Sequence, residues 1–149
     1  MDLLFNVIVC ASSLALFLYW FRYGCLLILA AETPRDFRTE VARANRLSFP
    51  EVRSMLRRDD VADLDRLRQC LEQDFAILDR LLEHAPVSRF DTWFEDAMLG
   101  IHYRGMRVCF QLTRNKLTEF AWDALEEMLA VVAHLANQVG ERGLKSAAV

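Results

Sequence analysis

"LLFNVIVCASSLALFLYWFR", residues 3–22, runs nineteen positions without a charge and then ends on an arginine. As a helix the uncharged part is about 28 Å long, close to the roughly 30 Å of a bilayer's hydrocarbon core. The stretch therefore predicts a transmembrane span over about 3–21. Arg22 then falls at the membrane edge, inside the cluster Tyr19, Trp20, Phe21 and Tyr23. Aromatic rings with one polar end gather at headgroup depth, and a long cationic side chain snorkels there, so these five residues read as an interfacial belt. Sliding the span to residues 10–31 would put Arg22 near mid-bilayer, at a cost of about 2.5–3.5 kcal/mol.

Two other readings fit less well. A cleaved signal peptide carries its positive charge before the apolar core, whereas here Asp2 comes first and the arginine follows. A buried helix of a soluble protein rarely continues for nineteen uncharged residues. The apolar continuation "CLLILAA", residues 25–31, extends about 10 Å beyond the expected membrane edge. It calls for cover by headgroups, by the chain's own domain or by another chain.

Seven arginines lie between residues 32 and 58 and none precedes the span. Positive flanks stay on the cytoplasmic side, so the N-terminus is expected outside and everything after Arg22 in the cytoplasm of a single-pass inner (cell) membrane protein. Cys10, Cys25, Cys70 and Cys109 show no metal or redox spacing, and a reduced, unpaired set suits that compartment.

With 149 residues, five Gly and three Pro, the chain is short of turn formers, and the fold class expected is all-α. The predicted organisation is 1–31 as the transmembrane helix with its juxtamembrane extension, 32–58 as two short Arg-rich helices, 59–140 as an antiparallel three-helix bundle, and 141–149 as a frayed tail. Thr33-Pro34-Arg35-Asp36 and Ser48-Phe49-Pro50-Glu51 share the grammar of a capped helix start. Leu64, Leu67, Leu71, Phe75, Leu78 and Leu82 keep three-and-four spacing along a long helix beginning at Asp60. Ser88 caps the next, from Arg89 to Leu112, which carries two apolar stripes. One holds Phe90, Phe94, Met98, Ile101, Val108 and Leu112; the other holds Leu99, Tyr103, Met106 and Phe110. Helices apolar on two faces are usually enclosed, which puts this one in the middle of the bundle. A single rod of about 50 residues is excluded because the apolar arcs before Leu112 and after Ala121 differ by about half a turn, so a break is expected at "TRNK", residues 113–116. Gly140 reads as the stop of the last helix.

Chemistry is scarce. His84 sits where a helix dipole favours a cation, and His134 reads as solvated. His102, in "IHYRG", is one residue short of the H-x-x-K-G phosphotransfer spacing and has Arg for Lys. No Glu-x-x-His pairs, phosphate loop, nucleophile elbow or metal-spaced set is present. No catalytic residue, cofactor or metal is therefore assigned, and a net charge of -3 gives no pull toward nucleic acid. Arg35, Arg38, Arg43 and Arg46 are candidates for contact with anionic lipid, although a topology determinant needs the same residues and Glu32, Asp36, Glu40 and Glu51 dilute them. Surplus apolar surface gives a second candidate set, facing a protein partner: Leu99, Tyr103, Met106, Phe110, Phe120, Trp122 and Val131. The function expected is a membrane-anchored interaction or scaffold protein with membrane lipid and other subunits, or its own copies, as partners and no small-molecule substrate. The alternative is a membrane-tethered signalling module working through His102 or a bundle face.

Overall fold

The computed structural model describes residues 2–31, 33–58, 63–85 and 90–147, with the side chains of 90–92 left aside. They form an all-helical protein in two compact units, residues 1–32 and 33–149, and hold no strand among the described residues.

The first unit is one continuous helix, α1 (Asp2–Ala30). It does not break at Arg22, so "CLLILA" prolongs the same rod. Its 29 residues extend about 43 Å, the thickness of a bilayer with its headgroup layers. The most apolar window has a mean hydropathy of 2.0 and no buried residue. This helix is thus long and apolar enough to cross a membrane. Ser12 Oγ donates to the Ile8 carbonyl at 2.8 Å, so its hydroxyl is satisfied within the helix.

The second unit comprises α2 (Arg38–Asn45), α3 (Phe49–Arg57), α4 (Leu64–His84), α5 (Phe90–Thr113) and α6 (Thr118–Ala147). The break predicted at "TRNK" falls between α5 and α6, where the Leu117 amide donates to the Thr113 carbonyl at 2.8 Å. The stripe predicted for α4 faces inward, with Leu67, Leu71, Phe75, Leu78 and Leu82 buried. The starts expected at Asp60 and Ser88 lie outside the described residues, and Asp63 caps α4 by accepting from the Arg66 amide at 3.1 Å.

Three expectations are corrected. The central helix is α6, against which α2, α3, α4 and α5 all pack. Residues 131–137 of α6 are buried without interruption, which accounts for its unusually wide apolar arc. Ala121, Ala124, Ala133 and Ala136 keep its surface low enough for neighbours on every side. Helix α5, expected in the middle, lies at the edge of the bundle.

The second correction concerns Gly140, which does not stop α6. The helix continues through it to Ala147, so most of the expected frayed tail is helical. A Cβ at 140 would lie 2.3 Å from Phe37 Cβ and 2.7 Å from Phe37 Cγ, so this glycine makes room for an aromatic ring.

Third, α2 begins at Arg38 and not at Thr33. Its start is fixed from a distance: the Phe37 amide donates to Asn137 Oδ1 of α6 at 2.8 Å, while the Arg38 amide donates to Asp36 Oδ1 at 3.0 Å. At its end Arg46 adopts the left-handed conformation, φ 53°, with its amide on the Ala42 carbonyl.

Candidate docking face

The two stripes of α5 meet opposite fates. Leu99 and Phe110 are fully buried, Tyr103 nearly so, and Met106 is half-buried. The Tyr103 ring stacks on Phe75 of α4 with centroids 4.0 Å apart and planes 4° from parallel. Burial, with Glu72 nearby, pushes the Tyr103 phenol well above its ordinary pKa. On the far side the exposures are Phe94 53%, Ile101 57%, Val108 52% and Leu112 75%, in line down the helix.

The side chains expected to face a partner are therefore mostly folded inward. Leu99, Tyr103, Phe110 and Val131 are core residues of this chain, and Met106 sits at the core margin. Trp122 is half-buried, its indole donating to Glu126 Oε1 at 3.3 Å. Phe120 is the one member of that set still largely exposed. The reason is the exchange of places between α5 and α6: a peripheral helix needs only one covered face, and the stripe assigned to the core is the one left over. Two stripes were legible in the sequence; which one meets α6 was not, since both have helical spacing.

Around this face the polar residues serve structure. His102 is 3% exposed, and its Nε2 lies 3.0 Å from Glu127 Oε2 on α6, a geometry closed to a phosphoryl donor. His134, expected in solvent, is buried in α6. Burial and the nearby Arg38 lower its pKa, while Asp96 and Glu141 oppose them. His84 does lie at the exposed end of α4, its Nδ1 2.7 Å from the Arg80 carbonyl. Arg142 pairs with Asp96 and ties α6 to α5.

Asp74 was missed altogether. It is buried on the apolar stripe of α4, where its carboxylate accepts the Ser48 amide at 3.0 Å and the Phe49 amide at 2.6 Å. It supplies the cap of α3 that the Ser48 side chain does not make. Burial pushes its pKa up in spite of those two donors. The available signal was positional: an acid three residues after Leu71 and four before Leu78 must face the core.

The arginine set divides as well. Arg35 is exposed and Arg38 half-buried beside Asp36, 3.6 Å away. Arg43 and Arg46 border one shallow groove, shared with Glu51. On α1 the rings Tyr19, Trp20 and Tyr23 form a chain of edge contacts with centroids 6.2 and 5.8 Å apart, Phe21 stacks on Phe17, and Arg22 is exposed beside them. Among the described residues no three His, Cys, Asp or Glu side chains gather as a metal site requires. What the arrangement offers is an apolar helix face for another surface to cover. Comparison with protein-family models, curated proteins and solved structures finds no match to this chain.

Proposed function

We propose that the chain is a membrane-anchored interaction protein, an accessory or scaffold subunit of a membrane-associated assembly, which docks through the outer face of α5. The observation that carries this reading is the exposed line Phe94, Ile101, Val108 and Leu112 on a helix whose other face is already satisfied by α6. Contiguous apolar patches beyond a few hundred Å² mark interaction sites. Helix α1 supplies the anchor, Tyr19, Trp20, Phe21, Arg22 and Tyr23 its interfacial belt, and the arginines that follow keep the bundle in the cytoplasm.

The test is the size of the assembly solubilised gently from native membranes, for the wild type and for Ile101→Glu and Val108→Glu. The wild type should migrate well above a single chain. Both variants should remain in the membrane pellet after an alkaline wash yet leave the assembly. An unchanged assembly in both variants, or a wild type released by the wash, defeats the proposal.

A further inference from the structure

The outer stripe has a stricter pattern than an oily surface needs. Phe94, Met98, Ile101, Gly105, Val108 and Leu112 follow one another at intervals of 4, 3, 4, 3 and 4 residues, an unbroken two-heptad seam. A period of 3.5 makes a narrow line suited to one straight helix, whereas a lipid surface favours a broader apolar face with cations along both edges. Here the flanking positions are Glu95, His102 and Cys109 on one side and Ala97, Arg104 and Gln111 on the other, with one exposed cation among them.

The seam is also complementary to itself. Turned end for end about residue 103, it sets Phe94 against Leu112, Met98 against Val108, and Ile101 against Gly105. Each pair matches a larger side chain with a medium or absent one. The hollow that Gly105 leaves in this seam is only the missing side chain, open to solvent: a Cβ there would meet nothing within 4 Å. Pairing in parallel register would instead set Gly105 against Gly105 and leave a void at the centre. At about 100 Å² for each of the exposed side chains Phe94, Ile101, Val108 and Leu112, one copy offers roughly 400 Å². Two copies together bring about 800 Å², the scale of a small interface, before the half-buried Met98 is added.

We infer that the partner on this face is a second copy of the chain, joined through an antiparallel pairing of the two α5 helices centred on residue 103. The inference rests on the proposed docking role and names its occupant. Anchoring both copies in one membrane raises their effective concentration. Arg104 faces its own counterpart across the axis, a solvated like-charge pair that salt screens, so the dimer tightens as ionic strength rises.

The experiment uses the full-length chain in mild detergent, with mass determined by light scattering, together with copper-catalysed cross-linking in membranes on a Cys10→Ser, Cys109→Ser background. The wild type should have the mass of two chains and Ile101→Glu that of one, with unchanged helical circular dichroism. Gly105→Leu should also give single chains because it fills the hollow, while Gly100→Ala, also at an open position, should leave the dimer intact. Chains carrying Ile101→Cys should cross-link to chains carrying Gly105→Cys and not to themselves. Cross-links from 101 to 101 would overturn the antiparallel pairing. A single-chain mass at all concentrations would overturn the second copy. If the native assembly still depended on Ile101 in that case, the docking role would survive with a different protein as occupant; equal loss of membrane association in Ile101→Glu would point to lipid and also count against the second copy.

Discussion

Alanine in place of Gly140 should behave opposite to alanine in place of Gly143, three residues further along the same helix. At 143 nothing lies within 4 Å of the added methyl, and alanine exceeds glycine as a helix former by about 0.8–1.0 kcal/mol. At 140 the same gain is opposed by a methyl placed 2.3 Å from Phe37 Cβ, far inside the 3.5–4.0 Å optimum for carbon contacts. The crowded atom is next to the backbone, so rotating the ring does not relieve it. The Phe37 backbone is itself held by the Asn137 side chain at 2.8 Å and by the first turn of α2, where the Val41 amide reaches the Phe37 carbonyl at 2.9 Å. Overpacking of this kind costs about 1–3 kcal/mol. Gly140→Ala should therefore lose roughly 0–2 kcal/mol while Gly143→Ala gains close to 1. Helix propensity cancels in the comparison, leaving about 1–3 kcal/mol between the variants, or roughly 4–12 °C in melting temperature. Thermal unfolding of the full chain in detergent, followed by circular dichroism, measures it. Combining Gly140→Ala with Phe37→Gly should remove the penalty, because the clash is with the Phe37 Cβ, which only glycine lacks. If Gly140→Ala stabilised as much as Gly143→Ala, the Phe37 socket on α6 would be wrong.

Asp74→Ala leaves two buried amides without an acceptor and should cost about 2–5 kcal/mol, with Asp74→Asn near half of that, measured by chemical unfolding. Because the folded state raises the Asp74 pKa, its contribution is greatest below the unfolded value of about 3.9 and declines as pH climbs through the higher folded value; the stability gap to Asp74→Asn should narrow over that window. His134 has the opposite sign. Its folded pKa is lowered, so its contribution is full above about 6.5 and is lost as pH falls toward the folded value, a slope that His134→Gln should flatten in melting temperatures taken from pH 7.5 to 5. The stripes of α5 should separate cleanly: Leu99→Ala costs about 2–5 kcal/mol, whereas Ile101→Ala, on the exposed stripe, stays within about 0.5 kcal/mol in single chains.

Much of this fold was legible because its elements are strongly periodic. The Leu64–Leu82 stripe of α4, the proline-marked start of α3 and the phase jump at residues 113–116 each involve residues close in sequence, where helical spacing decides the outcome. What sequence did not disclose depends on contacts across long separations. Phe37 and Asn137 are one hundred residues apart, Ser48 and Asp74 twenty-six. A glycine that clears space for a distant ring looks the same in sequence as one that ends a helix. An acid on an apolar stripe looks like an irregularity until the neighbouring helix start is known. The exchange of α5 and α6 has the same origin: a two-striped helix and a wide-arced helix both suit the centre by periodicity, and the choice follows from which of them the short helices α2 and α3 reach. The exposed apolar face of α5 was half visible, as surplus apolar surface on that helix, with its inward and outward stripes interchanged.

The most direct test of a covered outer face on α5 is the reactivity of a cysteine at position 101 toward a water-soluble maleimide, on the Cys10→Ser, Cys109→Ser background, in opened native membranes and after dispersal in denaturing detergent. Ile101→Cys should be shielded in the membranes and react fully once dispersed, while Arg104→Cys on the rim reacts in both. Equal and rapid labelling of position 101 in the membranes would mean that nothing docks there.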